Sequence, residues 1–216
     1  MKKSILLLIG YFLLLNYSKA QQSAFGITAG AALTSYKIKA ESVSVTSKTK
    51  PGFTVGIISS LGLGQHFSFM PSLNYIQKGG SIEGQGSTDK ITLNYLELPL
   101  NFVYNSNSAN GRFFIGAGPS LGMGLSGKDK SDGNGTGPMT ADIKFGSGES
   151  DDFKAFEAGV NFLAGYQFKG GFLLTANYNA GLNNIANTSA GDPIKTKYHN
   201  RYFGIRIGFM FPGKKK

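Results

Sequence analysis

The sequence lacks the residues that many small binding and catalytic sites require. None of its 216 residues is cysteine, so neither a disulfide framework nor a thiolate metal site can form. Histidine occurs only at His66 and His199. A catalytic serine would need one of them together with an acid that orients the ring, and no carboxylate lies near Ser68 and His66 in the sequence. We therefore predict no enzyme, no cofactor and no metal site.

Two further absences narrow the class of protein. No apolar run after the N-terminal one approaches the roughly 20 residues that a membrane-spanning helix needs. The formal net charge is +10, yet the basic residues are scattered, and no basic stripe is interleaved with stacking aromatic residues. Nucleic acid is therefore not an expected partner. A solvated rim that faces anionic lipid headgroups or lipopolysaccharide accounts better for the charge.

The N-terminus has the pattern of an export signal. Two lysines precede an apolar run that begins at Ile5, and small residues at Ser18 and Ala20 occupy the minus-three and minus-one positions of a signal-peptidase site. The sequence therefore predicts a cleaved signal peptide over residues 1–20, followed by one domain over residues 21–216.

Glycine is abundant, with 31 residues, and it recurs at every second position within apolar stretches. The stretch 202–211 shows the pattern most clearly, because every odd position is large and apolar whereas the even positions include Gly204, Arg206 and Gly208. Successive side chains of a strand point to opposite faces. This stretch is therefore predicted to be a strand with one apolar face and one small or polar face that carries a charge.

Eight such segments follow one another along the chain, at 25–33, 53–63, 67–75, 95–104, 113–125, 156–168, 172–182 and 202–211. Their connections alternate in length. Short turns at 64–66, 105–111 and 169–171 lie between long polar loops predicted at 34–51, 78–90, 126–152 and 183–197. Transmembrane barrels show this asymmetry, with long extracellular loops, short periplasmic turns and both termini in the periplasm.

The number of large apolar side chains decides which face of the sheet points outward. The interior of an eight-stranded barrel is just wide enough for side chains to fill, so it cannot hold this many aromatic rings. A soluble lipocalin-like barrel would need the apolar face inside, and the volume argument disfavours it. We therefore predict an all-β fold, an eight-stranded antiparallel up-and-down transmembrane β-barrel integral to the outer membrane.

Aromatic residues concentrate at the strand ends that lie next to the short turns or the chain termini. Membrane barrels carry aromatic girdles at both interfaces with water. We expect a girdle at the periplasmic interface that consists of Phe25, Phe67, Tyr104, Phe113, Phe168, Phe172, Phe209 and Phe211.

Several short motifs follow one another in order over the domain. They are the Tyr95–Leu100 strand YLELPL, GAGPSLG at 116–122, the Gly165–Tyr166 pair, residues 181–185, and Asn200–Arg201 at the entry to the last strand. Together they resemble the PorT-like outer-membrane β-barrel family over nearly all of residues 21–216. The resemblance implies an integral outer-membrane protein and, for the founding member of that family, a role in protein secretion and sorting.

Four charged residues are assigned to the barrel interior, namely Glu97, Glu157 and Arg206, with Arg112 at its periplasmic end. Isolated charges in a narrow interior are costly, so we predict a structural ion-pair network in which Arg206 and Glu97 are the favoured pair across the lumen. A polar network that plugs the barrel is favoured over a path for solutes.

The expected function is that of a structural or interaction protein with a packed polar lumen, linked through the resemblance to protein secretion. A small-solute channel and, less favoured, a lipid-modifying enzyme stay open as alternatives. The expected partners are outer-membrane lipid, the barrel-assembly machinery during insertion, and a protein that contacts the extracellular loops or the periplasmic turns.

Overall fold

A computed structural model describes residues 23–40, 43–84, 87–108, 110–133, 136–148, 150–187 and 196–211. The predicted signal peptide at residues 1–20 lies outside these ranges, as does the tail that follows Phe211.

The regular elements in these ranges are β-strands. Their bounds are β1 Ser23–Ala40, β2 Val43–Thr46, β3 Lys50–Gly62, β4 Phe67–Gly84, β5 Ser87–Ser108, β6 Gly111–Gly133, β7 Thr136–Ile143, β8 Phe156–Phe168, β9 Phe172–Gly181 and β10 Lys197–Phe211. The part of the chain that the structure describes has no helix long and apolar enough to cross a membrane.

Eight of the strands form a closed antiparallel ring. Each pairs with the next in the order β1, β3, β4, β5, β6, β8, β9 and β10, and β10 returns to pair with β1. This last pairing runs from Phe25 opposite Phe211 to Lys39 opposite Lys197, which is nearly the whole length of both strands. The predicted eight-stranded antiparallel barrel is thus confirmed. The short strands β2 and β7 lie beside the ring, where they pair with β1 and β6.

Side chains alternate between the outside and the inside of the ring along each strand. In β10, Phe203, Ile205 and Ile207 are exposed, whereas Tyr202 and Arg206 are buried. The same alternation in the other strands produces a continuous belt of exposed phenylalanine, leucine, isoleucine and valine around the barrel. Hydrocarbon is the solvent that accepts such a belt, so the apolar face is the lipid-facing one.

The two ends of the barrel differ. At the turn end, short connections around 64–66, 109–110 and 169–171 join the strands, and β1 begins and β10 ends there. At the opposite end, which we call the extended end, the strands continue well past the apolar belt. β5 and β6 contain 22 and 23 residues, whereas crossing a membrane requires about 9–11.

The long polar loops that the sequence predicts at 34–51, 78–90 and 126–152 are therefore largely wrong, because most of their described residues lie in strands; the segment after Ile143 is outside the strands, as predicted. β1 continues to Ala40, β4 and β5 pair as far as Gly84 opposite Ser87, and β6 continues to Gly133 and then pairs with β7. Beyond the lipid, the outward face of a strand meets water and carries lysine or threonine instead of phenylalanine. Polar composition at these positions is typical of a loop, although the strand alternation persists through them.

A bulge in β6 sets the orientation of its outer half. Asn94 pairs with Ser126 whereas Tyr95 pairs with Gly124, so Leu125 is an extra residue opposite β5. Glycine at 124 leaves room inside the barrel, since a Cβ there would lie 2.3 Å from the ring of Phe145. Beyond the bulge Gly127 is buried, whereas Lys128 and Lys130 are exposed.

The lipid-facing assignment predicts the effect of a charge placed in the belt. Ile207 is 69% exposed, and it lies in the middle of the apolar stretch 203–211 on the outward face of β10. Ile207→Lys should reduce the free energy of unfolding by about 2–4 kcal/mol, because a lysine near the bilayer midplane loses its hydration. The measurement is the urea dependence of folding into phospholipid vesicles.

Thr140→Lys is the matched control, because Thr140 is an exposed residue of β7 at the extended end. It should change the free energy of unfolding by no more than about 0.5 kcal/mol, as for an ordinary surface substitution. Equal effects of the two substitutions would contradict a lipid-facing belt.

Candidate functional site

A three-residue ion cluster lies in the interior of the barrel. The Lys78 ammonium is 2.7 Å from Glu97 Oε2 and 3.0 Å from Glu157 Oε2. All three side chains are at most 3% exposed. β4, β5 and β8 supply one residue each, so the cluster joins three strands of the ring. A buried charge is tolerated where it is paired and hydrogen-bonded, and the lysine fulfils that condition for both carboxylates.

Aromatic and amide groups surround this cluster. The Lys78 ammonium lies 4.8 Å from the centre of the Tyr95 ring and 5.4 Å from that of Tyr202, within the range of cation–π attraction. The Tyr202 hydroxyl donates a hydrogen bond to Glu97 Oε1, and Asn200 Nδ2 donates one to Glu157 Oε2 at 3.3 Å. Strand β10 thereby contributes two further contacts to the ion cluster.

A layer of asparagine side chains continues the polar interior. Asn177 Nδ2 donates to Asn161 Oδ1 at 3.0 Å, and Asn161 Nδ2 donates to Asn101 Oδ1 at 2.9 Å. Asn179 Nδ2 donates to Ser120 Oγ at 2.8 Å. These side chains are buried; the asparagine chain connects β5, β8 and β9, and the separate bond to Ser120 connects β9 with β6. Linked amides of this kind fix one arrangement of the interior.

Apolar clusters close the lumen on both sides of the polar layers. The cluster at the turn end consists of Ile58, Met70, Val103, Phe114, Leu163, Leu173 and Met210. The cluster at the extended end consists of Ala32, Ile76, Leu93, Tyr95, Ile143, Phe153, Ile185 and Tyr202. These apolar clusters interrupt the packed polar lumen that the sequence predicts, although buried polar side chains such as Ser68, Asn105 and Thr34 also lie toward its ends. The inward-facing Met70, Val103, Phe114 and Leu163 were visible in the alternation and could have indicated the first cluster.

The structure places the four sequence-predicted charges in different surroundings. Glu97 and Glu157 come together at Lys78, whereas Arg206 has no ion pair within the described residues, and Glu97 has Lys78 as its cationic partner instead of Arg206. Arg206 is 5% exposed, and its Nε has no hydrogen-bond partner among those residues. Arg112, at the turn end, donates from Nε and Nη2 to Gln167 Oε1 at 2.8 and 2.6 Å.

Sequence reasoning missed Lys78, since it fell in a segment assigned to a polar loop. The alternation along β4 indicates its position, because Met70, Asn74 and Ile76 point inward and Lys78 is the next inward residue. Extending the alternation three residues past Tyr75 would have found it.

The eight aromatic residues of the expected girdle all lie at the turn end. Seven are between 45% and 65% exposed, and Phe209 is half-buried. Several contact one another edge to face, as in the pairs Phe67–Tyr104 and Phe172–Phe209. They surround the barrel where the apolar belt meets the turns.

The two histidines lie at opposite ends of the barrel. His66 stacks on Tyr104 in a turn, with its Nδ1 3.3 Å from the carbonyl oxygen of Asn105. At the extended end, burial together with Lys39 and Lys197 lowers the pKa of His199. The described residues contain no group of three or more histidines and acids positioned to hold a metal ion.

Comparisons with known proteins agree with this architecture. The family described as "Outer membrane protein beta-barrel domain" matches residues 19–187. Comparison with curated protein sequences gave no match. Among solved structures, the chain is similar to OprG from Pseudomonas aeruginosa, with 14% identity, coverage of 89% of this chain and 98% of that one, and a TM-score of 0.49. It is also similar to Ail, the attachment invasion locus protein of Yersinia pestis, with 15% identity, coverage of 87% and 99%, and a TM-score of 0.39.

The ion cluster predicts a large effect of removing its cation. Lys78→Met should lower the free energy of unfolding by about 3–5 kcal/mol, because two buried carboxylates lose their partner. The measurement is the urea midpoint of the refolded barrel in lipid. Removing both negative charges with Glu97→Gln and Glu157→Gln in the same chain should recover part of the loss.

Lys48→Met is the matched control, since Lys48 pairs with Glu83 where both side chains are more than half exposed. An exposed pair contributes only about 0–1 kcal/mol. If Lys78→Met unfolds at the same urea concentration as the unchanged barrel, the cluster does not stabilise the fold.

Proposed function

Because the chain belongs to the outer membrane protein beta-barrel domain family, we propose that it is a non-conducting barrel of the outer membrane that acts as a structural and interaction protein. In this proposal the turn end with both chain termini faces the periplasm, and the extended end stands above the cell surface. Short periplasmic turns and longer extracellular segments are the usual arrangement in such barrels.

The observation that carries the proposal is the closed lumen. A solute would have to displace Phe114 and Met70 at one end, separate Lys78 from its two carboxylates, and then pass Tyr95 and Tyr202. Moving apart a buried ion cluster and two packed apolar clusters is costly. The interior is therefore suited to holding the strands in one register and not to transport.

The extended end offers the surface for a protein partner. Within the described residues β7 pairs only with β6, so its other edge presents unpaired backbone groups. Met139 on this strand is 73% exposed. An extended peptide segment can add to such an edge through main-chain hydrogen bonds, and a neighbouring exposed apolar side chain gives selectivity.

Two finer functions have less support. For a lipid-modifying enzyme, His66 contacts a backbone carbonyl and a tyrosine ring but no carboxylate, so the described residues provide no group to orient it as a base. The link to protein secretion that the sequence resemblance implies has no counterpart in the contacts of the described residues.

Single-channel recording in planar lipid bilayers tests the proposal. The purified barrel should give no steady conductance. A double variant that truncates one residue of each apolar cluster, Tyr95→Ala with Phe114→Ala, should show more frequent openings because it removes packing at both ends of the lumen. Phe113→Ala is the control, since its side chain faces lipid. Steady conductance of the unchanged barrel would overturn the proposal in favour of a small-solute channel.

A further inference from the structure

A groove lies on the outer surface of the barrel at the extended end. It has a volume of about 800 Å³ and is lined mainly by lysine and polar side chains. We call it the lysine groove. Its lining includes Lys50, Gln77, Asn94, Ser126, Lys128 and Lys130.

The lysine groove begins where the lipid-facing belt ends. Asn94 and Ser126 are cross-strand partners in its floor, and the next outward pair toward the turn end is Leu96 opposite Met123. Leu125, at the bulge, lines the groove and is 50% exposed. A molecule bound here would therefore touch polar groups on one side and the hydrocarbon-facing surface on the other.

The charge in the groove is predominantly positive. Lys50, Lys128, Lys130 and Lys144 line it, against Asp142 and Asp151. None of these lysines has an ion pair with a described residue. Asp151 accepts a hydrogen bond from the backbone N–H of Gly148, so its carboxylate already has a partner. The lysines thus form a cluster whose mutual repulsion an anion would relieve.

Lys50 is held closest to the floor of the groove. Its ammonium donates a hydrogen bond to the Thr92 hydroxyl of β5. Burial and the neighbouring charges of Lys130 and Lys90 lower the pKa of Lys50. A bound anion would remove that cost of keeping the lysine charged.

Neutral hydrogen-bonding groups run across the floor beside the lysines. Gln77 Nε2 donates to Asn94 Oδ1 at 3.4 Å, and Asn94 Nδ2 donates to Ser126 Oγ at 3.0 Å. The row contains amide and hydroxyl groups that can also exchange hydrogen bonds with sugar hydroxyls. The groove thus presents lysines for a phosphate, amide and hydroxyl groups for sugar hydroxyls, and an adjoining apolar surface for acyl chains. A phosphorylated glycolipid carries its groups in that order.

We propose that the lysine groove binds the phosphorylated sugar headgroup of a glycolipid of the outer leaflet, with the acyl chains of that lipid lying along the outer face of β5 and β6. The inference rests on the proposed orientation, which places the extended end at the cell surface. A soluble phosphate compound would leave the adjoining apolar surface at Leu96 and Met123 unused, so the lipid is the occupant that matches the whole site.

Binding of lipopolysaccharide to the full refolded barrel in detergent micelles tests this inference, with native mass spectrometry as the measurement. Lipopolysaccharide with its phosphates should bind at least about tenfold more tightly than the dephosphorylated form, since one charge-assisted contact corresponds to about that factor. Lys128→Ala with Lys130→Ala should weaken binding by about tenfold or more, and Lys50→Ala should weaken it separately.

Lys37→Ala with Lys39→Ala is the matched control. These lysines alternate on β1 as Lys128 and Lys130 do on β6, but they line a different depression that adjoins β9 and β10. The control should leave the affinity for lipopolysaccharide unchanged. Every variant must first show the heat-modifiable gel mobility of a folded barrel. Equal weakening by the control, or equal affinity for the dephosphorylated lipid, would overturn the inference.

Inorganic phosphate and the delipidated sugar phosphate supply the remaining comparison. Both should compete only weakly, and competition as strong as that of the intact lipid would overturn the assignment to a lipid. Binding in micelles depends neither on conductance nor on orientation in the cell. A failed binding experiment therefore counts against the groove alone, and a conducting barrel counts against the proposed function alone.

Discussion

The structure depends on the pairing of the first ring strand with the last. In hydrocarbon, every backbone N–H and C=O must find a partner within the protein, and an open sheet would leave two unpaired edges. The register that joins Phe25 to Phe211 and Lys39 to Lys197 removes both edges over almost the full length of β1 and β10. Once the ring is closed, lipid solvates the outward face and the protein must fill the inside with its own side chains. The apolar belt and the packed interior both follow from that closure.

The interior satisfies two physical demands at different heights. In the middle, Lys78 forms an ion pair with both Glu97 and Glu157, and asparagine side chains bond one another in a chain from strand to strand. At the ends, apolar side chains exclude water from these groups. The low-dielectric surroundings that the apolar clusters create strengthen the ion cluster, and the same surroundings make an unpaired charge there costly. Sealing of the lumen and fixation of the strand register are therefore two consequences of one arrangement.

The outward face of the extended end carries several lysines. Lysines lie outward on β1, β5 and β6, whereas Asp89 and Asp129 occupy the alternate positions of β5 and β6. Alternation along a strand thus continues beyond the lipid, with cationic groups where the belt had apolar ones. In an outer membrane this arrangement brings positive charge to the level of lipid headgroups. The lysine groove, whose lining includes Asp142 and Ile143 of β7, lies at this end beside the edge of β7 that is unpaired among the described residues. Lipid binding and protein binding would therefore use adjoining parts of the same extension.

The sequence by itself determined the ring of eight strands and the direction of their faces. Alternation along a strand assigns each residue to one of two faces. The aromatic side chains are too bulky for the interior, so their face must be the outer one. The inward position of Glu97, Glu157 and Arg206 could therefore be predicted from the sequence. The length of the strands, the bulge at Leu125 and the role of Lys78 were decided by tertiary structure. The amino-acid composition becomes polar where the strands leave the lipid, although the pairing of the strands continues. The alternation of inward and outward positions does not indicate which inward side chains meet across the lumen. Lys78 and Glu157 are 79 residues apart in the chain, and only the closed ring brings their charges into contact.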